Sequence, residues 1–286
     1  MTQSMTPHRQ WWKHPYTWVA IVVVIVLVTV VLAATLGHRS QSGTPSATQP
    51  STATAVPSTS LPSGSDGTYA GSGLDSLGHG YRIPVNAAGH ALPQSARPSS
   101  STLTSPLAAP QGLEWQRVYG APVPFSTSDG PREVHSDGTV SGFSHTPQGA
   151  ALASWQYFTR LMVAPPDVRK AVLAQSTSNG SDRSLTSKLP DYSSYSDAGS
   201  SAVVPAGVKI AADKYTPTTA FVVWALGPLP APDEHPTDSG YAYTEQRIGV
   251  VWQDGDWKLS LGDWATDDTL NWFDTVDAAS GWSTWT

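Results

Sequence analysis

Ser144 and His145 stand side by side in the stretch SHTPQGA, where a hydroxyl nucleophile next to an imidazole base would suit acyl transfer. A working pair also needs an orienting acid and a sharp Gly-x-Ser-x-Gly turn to present the hydroxyl, and neither stands nearby. His135 lies ten residues before His145. Zinc needs three or four ligands at characteristic spacings, and no third one follows. Asp213, Tyr215, Tyr243 and Glu245 could exchange protons if they were desolvated against a substrate, but strand alternation explains them equally well as solvent-facing positions. With no cysteine in the chain, disulfides, thiolate metal sites and cysteine nucleophiles are excluded. The expectation is no catalytic residue, no metal and no cofactor.

The residues around these side chains set out the elements. In HTPQGAALASWQYFTRLM, Thr146 is placed to cap a helix and Pro147 to open it, where the missing N–H costs nothing. Ala151, Trp155, Phe158 and Met162 then recur at helical spacing, with Ala150, Ser154, Tyr157 and Leu161 flanking them, which predicts one buried face. Pro165 and Pro166 end this helix, and DVRKAVLAQ forms a second short one. Later the period changes to two. Val208 and Ile210 alternate with Lys209 and Ala211, residues 220–226 read AFVVWAL, and residues 241–253 and 256–264 flank Asp254-Gly255, a strong hairpin signal. Helices followed by about four antiparallel strands predict an α+β fold with helices packed on a curved sheet.

Composition limits what such a domain does. The formal net charge is −6, and no basic run follows residue 36. Nucleic acid is therefore not expected as a direct partner, because a phosphate-binding groove needs clustered Lys and Arg. Twelve Trp, ten Tyr and five Phe supply the apolar area that one modest core requires.

Residues 18–36 form 19 uncharged, mostly apolar positions, which at a rise of about 1.5 Å per residue span about 28 Å, enough to cross a bilayer. Trp11, Trp12, Tyr16 and Trp18 mark the near interface. Arg9 and Lys13 before the segment against Arg39 after it favour a cytoplasmic N-terminus. A cleavable signal peptide is the competing reading, with Ala33 and Ala34 near the processing site. Under either reading the bulk of the chain is extracytoplasmic. The expected organisation is a cytoplasmic tail at 1–17, a transmembrane helix at 18–36, a disordered Ser/Thr/Pro-rich linker at 37–112, an α+β domain at 113–264 and a Trp/Asp-rich extension at 265–286. Within the linker, GLDSLGHGYRIPVN is the piece with the character to dock. In the extension, Trp264, Trp272, Phe273, Trp282 and Trp285 have two readings: rings that fold back over the sheet, or anchors for another subunit.

Two stretches carry a resemblance. GPREVHSDGTVSGFSHTPQGAALAS, at residues 130–154, resembles a motif of membrane-anchored proteins encoded with actinobacterial integrative conjugative elements. VVWQDGDWKL, at residues 250–259, is similar to the final hairpin of cone-shaped domains of the nuclear-transport-factor-two-like superfamily, which includes extracytoplasmic domains of type IV secretion inner-membrane scaffold proteins. The long tether and the Trp-rich extension depart from those domains. The resemblance implies a non-enzymatic bitopic scaffold subunit of a conjugation apparatus, partnered by the bilayer, by other subunits and by further copies of itself. The alternative is a membrane-anchored cell-envelope ligand-binding module, which requires a deep apolar pocket with a few convergent polar groups.

Overall fold

The computed structural model describes residues 67–188, 202–262 and 271–285, all within one compact unit, Thr59–Thr286. The architecture is α+β. A first sheet takes the order β1 (Tyr69–Leu74), β2 (Gly80–Pro84), β3 (Glu114–Val118), β4 (Ala121–Phe125), antiparallel except where β2 meets β3 through Arg82 and Gln116. A two-stranded ribbon, β5 (Glu133–Val134) and β6 (Val140–Ser141), leads into helices α1 (Pro147–Val163) and α2 (Pro166–Gln175). The second sheet is antiparallel, built from β7 (Gly207–Ile210), β8 (Thr219–Pro230), β9 (Tyr241–Gln253) and β10 (Asp256–Leu259) in the spatial order 10-9-8-7. A short β11 (Trp272–Phe273) lies against β9 at Thr244 and Tyr243.

Helix α1 begins as its sequence predicts, with the Thr146 hydroxyl accepting a hydrogen bond from the Gly149 amide at 2.9 Å and Pro147 in the first turn. Its burial exceeds the expected single face. α1 packs against β4 of the first sheet and against β8, β9 and β10 of the second, so Gln156 and Arg160 are as completely buried as Ala151 and Leu152. A 3.6-residue period reports one apolar stripe. It does not register a second wall that meets the helix with polar groups.

Between these layers four indoles fill the interior. Trp224 of β8 has Trp155 of α1 at 5.2 Å, Trp285 at 5.7 Å and Trp115 of β3 at 6.3 Å between ring centroids. Each N–H finds an acceptor: Trp224 donates to Ser154 Oγ, Trp155 to the Pro122 carbonyl, Trp115 to the Trp285 carbonyl and Trp285 to the Leu107 carbonyl. The opposite face of the second sheet is covered in part by residues 271–285. There Phe273 stacks on Tyr243 and on Trp282, and Trp282 packs on Val223 and Ala225 beneath the Lys209 ammonium.

The expected hairpin forms between β9 and β10, where Asp254 and Gly255 both adopt positive φ (54° and 78°), the backbone required by a two-residue turn of this hand. β10 ends at Leu259, short of the expected residue 264.

Two expected boundaries change. The expected linker includes residues 67–112, yet β1 and β2 pair with each other and, through Arg82, with β3, and Leu107 is 2% exposed. The physical reason is polar as much as apolar. Tyr69 donates to Glu114 Oε1, the Arg82 guanidinium lies over the Tyr69 ring, and buried Gln116 bonds both the amide and the carbonyl of His90. A low density of large apolar residues therefore did not mean absence of fold. Nor does the domain close at residue 264, since Trp282 and Trp285 are each 3% exposed within it. Residues 18–36 and 37–66 lie outside the described residues. Among the described residues no helix is long and apolar enough to cross a membrane.

Candidate functional site

The stretch from Ser128 to Ala151 contributes to two polar constellations of different kinds. The first is closed. Asp129, 3% exposed, accepts from the Thr146 hydroxyl through Oδ1 and from the Ser128 hydroxyl through Oδ2, each at 2.5 Å. Ser144 Oγ donates to the Ser128 carbonyl at 2.9 Å. His145 turns the other way: its ring stacks on Trp252 at 4.0 Å and its Nε2 meets the Pro217 carbonyl. Ser144 and His145 thus share no hydrogen bond, and the acid at their side serves the helix cap. Next to this cluster the Asp256 carboxylate accepts the amides of Gly142, Phe143 and Trp257, while burial pushes its pKa up against those bonds.

The second constellation is open. An exposed groove of about 420 Å³ lies between Asn86 with residues 89–91 on one side and residues 132–135, which include β5, on the other. Its walls are held from behind by one side chain. Arg160, fully buried in α1, donates through Nη2 to the Ala88 carbonyl at 2.6 Å, through Nε to the Gly138 carbonyl at 3.0 Å, and through Nη1 to Gln156. Desolvation lowers its pKa to about 10, offset in part by Tyr119 and Tyr157, so the guanidinium stays cationic at neutral pH. The first wall is also tied by Gln116 to His90. Gly89 sits at φ +100°, where a Cβ would meet the Phe125 ring at 2.5 Å; only glycine lets this wall lie so close to the core.

Charged and basic groups face the groove. Arg132 donates from Nη2 to the Ser95 carbonyl at 3.2 Å, and its buried Nε has no hydrogen-bond partner. Burial and the neighbouring Arg97 lower the Arg132 pKa, against the pull of Asp129. The stem of Arg132 lies on Gly142, where a Cβ would stand 2.8 Å from Arg132 Cβ. His135 Nε2 is 2.8 Å from Ser141 Oγ and 3.8 Å from the Glu133 carboxylate, which is itself 68% exposed. His90 packs edge-on to Tyr69 at 5.8 Å.

The other residues singled out by sequence do not converge. Tyr215 donates to the Ser101 carbonyl, and burial raises its pKa. Asp213 is exposed on a one-turn 3-10 helix. Tyr243 and Glu245 lie on the second sheet's outer face, Tyr243 against Phe273 and Glu245 bonded to Arg247 and Asn271. Among the described residues no group of three or more His, Asp or Glu converges to hold a metal. Of the five aromatic residues named as partner anchors, Trp285 is in the indole cluster, Trp282 is against the outer face, Trp272 and Phe273 are half-buried in β11, and Trp264 lies outside the described residues. Sequence reasoning passed over Arg132 and Arg160. For Arg160 a signal existed: it is the lone charge in AALASWQYFTRLM, an isolated cation in an otherwise uncharged helix.

No curated protein and no solved structure matches the chain. The family described as Domain of unknown function (DUF8175) matches residues 82–284, from β2 through the segment that carries Trp282. That span takes in both walls of the groove, the closed cluster and Trp115, Trp155 and Trp224 of the indole core, and the chain belongs to this family.

Proposed function

We propose that this protein is a non-enzymatic, single-pass scaffold subunit of a conjugation or type IV secretion-like apparatus, acting through contacts of its extracytoplasmic domain with other subunits. Residues 18–36 supply the anchor, residues 1–17 the cytoplasmic tail, and the Ser/Thr/Pro-rich stretch up to residue 66 the reach from the bilayer. The relationship to membrane-anchored proteins of actinobacterial conjugative elements and to nuclear-transport-factor-two-like scaffold domains belongs to this proposal.

The observation that carries it is the filled interior. Trp115, Trp155, Trp224 and Trp285 occupy the space between α1 and the sheets where a ligand-binding cone would be hollow. Ser144 and His145, the residues best suited to chemistry by sequence, turn apart. What the described surface offers is an open groove, which suits contact with another chain better than enclosure of a small substrate.

The test is transfer frequency from a donor deleted for the gene. Restoration by the full chain and not by a truncation ending at Pro110 is the expected result. Unchanged transfer in the deletion strain overturns the scaffold reading in favour of an envelope-binding module.

A further inference from the structure

We infer that the outer edge of β1 is a self-association site, to which the same strand of a second copy adds antiparallel about a two-fold axis at Gly73. The inference deepens the scaffold reading and rests on it for the anchor that brings two copies together.

β1 and β4 bound the first sheet, β7 and β10 the second, and three of these edges are closed. In β4, Pro122 and Pro124 have no N–H to offer, and their carbonyls accept the Trp155 indole and the Gln156 amide. Val208 of β7 exchanges backbone hydrogen bonds with Ser283, and Leu259 of β10 bonds Ser176 and Ser178. Among the described residues no strand pairs with the outer side of β1. The Asp75 amide donates to the His79 carbonyl, so the alternation of the ladder turns Gly71 and Gly73 toward β2 and aims the N–H and C=O of Ser72 and Leu74 outward. Both of these residues are exposed, so another strand can reach those groups.

The strand suits its own copy. A register that sets Gly73 opposite Gly73 pairs each Ser72 with the second copy's Leu74, and every outward N–H of these residues finds a carbonyl. The closest approach falls at Gly73, where β1 brings no side chain and the Tyr81 ring lies 2.8 Å from where a Cβ would stand. Leu74, 67% exposed, becomes the diagonal neighbour of the other Leu74 on the same face. The strand sequence YAGSGL holds no charge to repel its own copy and neither the Lys nor the Pro that blunts edges meant to stay single. Its bulge between Tyr69 and Gly71 confines the pairing to the residues that follow.

So short a ladder is weak between two untethered molecules. In this register the two Tyr69 residues stand about 27 Å apart at about 3.4 Å per residue, and a tether with the composition of residues 37–66 has a reach of about 30 Å. Two anchors in one bilayer therefore permit the pairing and raise its effective concentration.

The test uses the full chain, which contains no cysteine, reconstituted in liposomes. Two differently tagged copies carry Ser72→Cys and Leu74→Cys, which the register places about 5.5 Å apart between Cα atoms, within disulfide reach. Ser72→Cys mixed with Ser239→Cys, an exposed position between β8 and β9, measures random collision. Mild oxidation should give the 72–74 mixed dimer at least about fivefold above that control. Energy transfer between copies fused to donor and acceptor fluorophores should fall in Leu74→Lys, which opposes two ammonium groups, and in Ser72→Pro, which removes an outward N–H and no bond to β2. Leu74→Lys alters an exposed side chain, so it keeps the test decisive if Ser72→Pro lowers the melting point. Equal cross-linking of test and control pairs, energy transfer unchanged by Leu74→Lys, or Ser72→Cys captured in cells only by a different protein each overturns the inference. Loss of transfer on gene deletion with no 72–74 cross-link removes the pairing and keeps the scaffold. Cross-linking with unaffected transfer keeps the pairing and removes the scaffold.

Discussion

The groove at Arg132 draws one of its walls from the same stretch that builds the cluster around Asp129, and both are polar, but they end in opposite states. At Asp129 both carboxylate oxygens accept hydroxyls, the Thr146 hydroxyl then caps α1, and the Ser144 hydroxyl is spent on a carbonyl. At Arg132 one donor is spent on Ser95, another is buried without a partner, and the surroundings open to solvent. Mutually satisfied buried groups contribute to structure, and removing one leaves the others orphaned. Residue type alone would rank the two sites the other way, since Ser, His and Asp together suggest chemistry and a single Arg does not.

That contrast can be broken in graded steps. The largest effect is expected in the core that supports both sites: Trp285→Ala should cost about 3–5 kcal/mol in urea unfolding. No loss there would mean the indole is free for a partner. Cutting the chain after Asp263 should unfold the domain for the same reason. Next, Asp129→Ala should destabilise by about 2–4 kcal/mol in urea unfolding, because it orphans two hydroxyls and weakens the α1 cap. Unchanged stability would show that the closed cluster is not structural. Gly142→Ala adds a side chain at φ +84° against the Arg132 stem, so a loss of about 1–2 kcal/mol in urea unfolding is expected.

The smallest effect is a pH dependence at a third closed site. Burial raises the Asp75 pKa, but bonds from the Val204 and His79 amides and from the His79 ring outweigh it and hold the carboxyl below 3.8. An acid depressed on folding adds stability that is complete above 3.8 and fades as pH falls through its lower folded value. The advantage of the natural chain over Asp75→Asn, followed by thermal melts between neutral pH and pH 3, should therefore shrink on acidification. A constant difference would show that Asp75 acts there without its charge.

Much of the domain could be read from local patterns. The Thr146 cap with Pro147, the proline stop before α2, the turn at Asp254-Gly255 and the start of β9 at Tyr241 follow from rules acting over a few residues. The hairpin of β1 and β2 was harder. Its anchors are polar partners up to about fifty residues away, such as Tyr69 with Glu114 and Gln116 with His90, and composition carries no record of them.

By itself the sequence determined α1 and α2, the strands of the second sheet, the absence of thiol chemistry, and an apolar segment of membrane-spanning length at residues 18–36. Each depends on side-chain type, spacing or backbone preference within a short window. Only the tertiary structure decided that Ser144 and His145 part company, that Trp285 completes the core from the far end of the chain, and that Arg160 ties together the walls of a groove made from segments some forty residues apart. Those outcomes depend on which polar groups meet when two sheets close on one helix, and such a meeting has no local period to announce it.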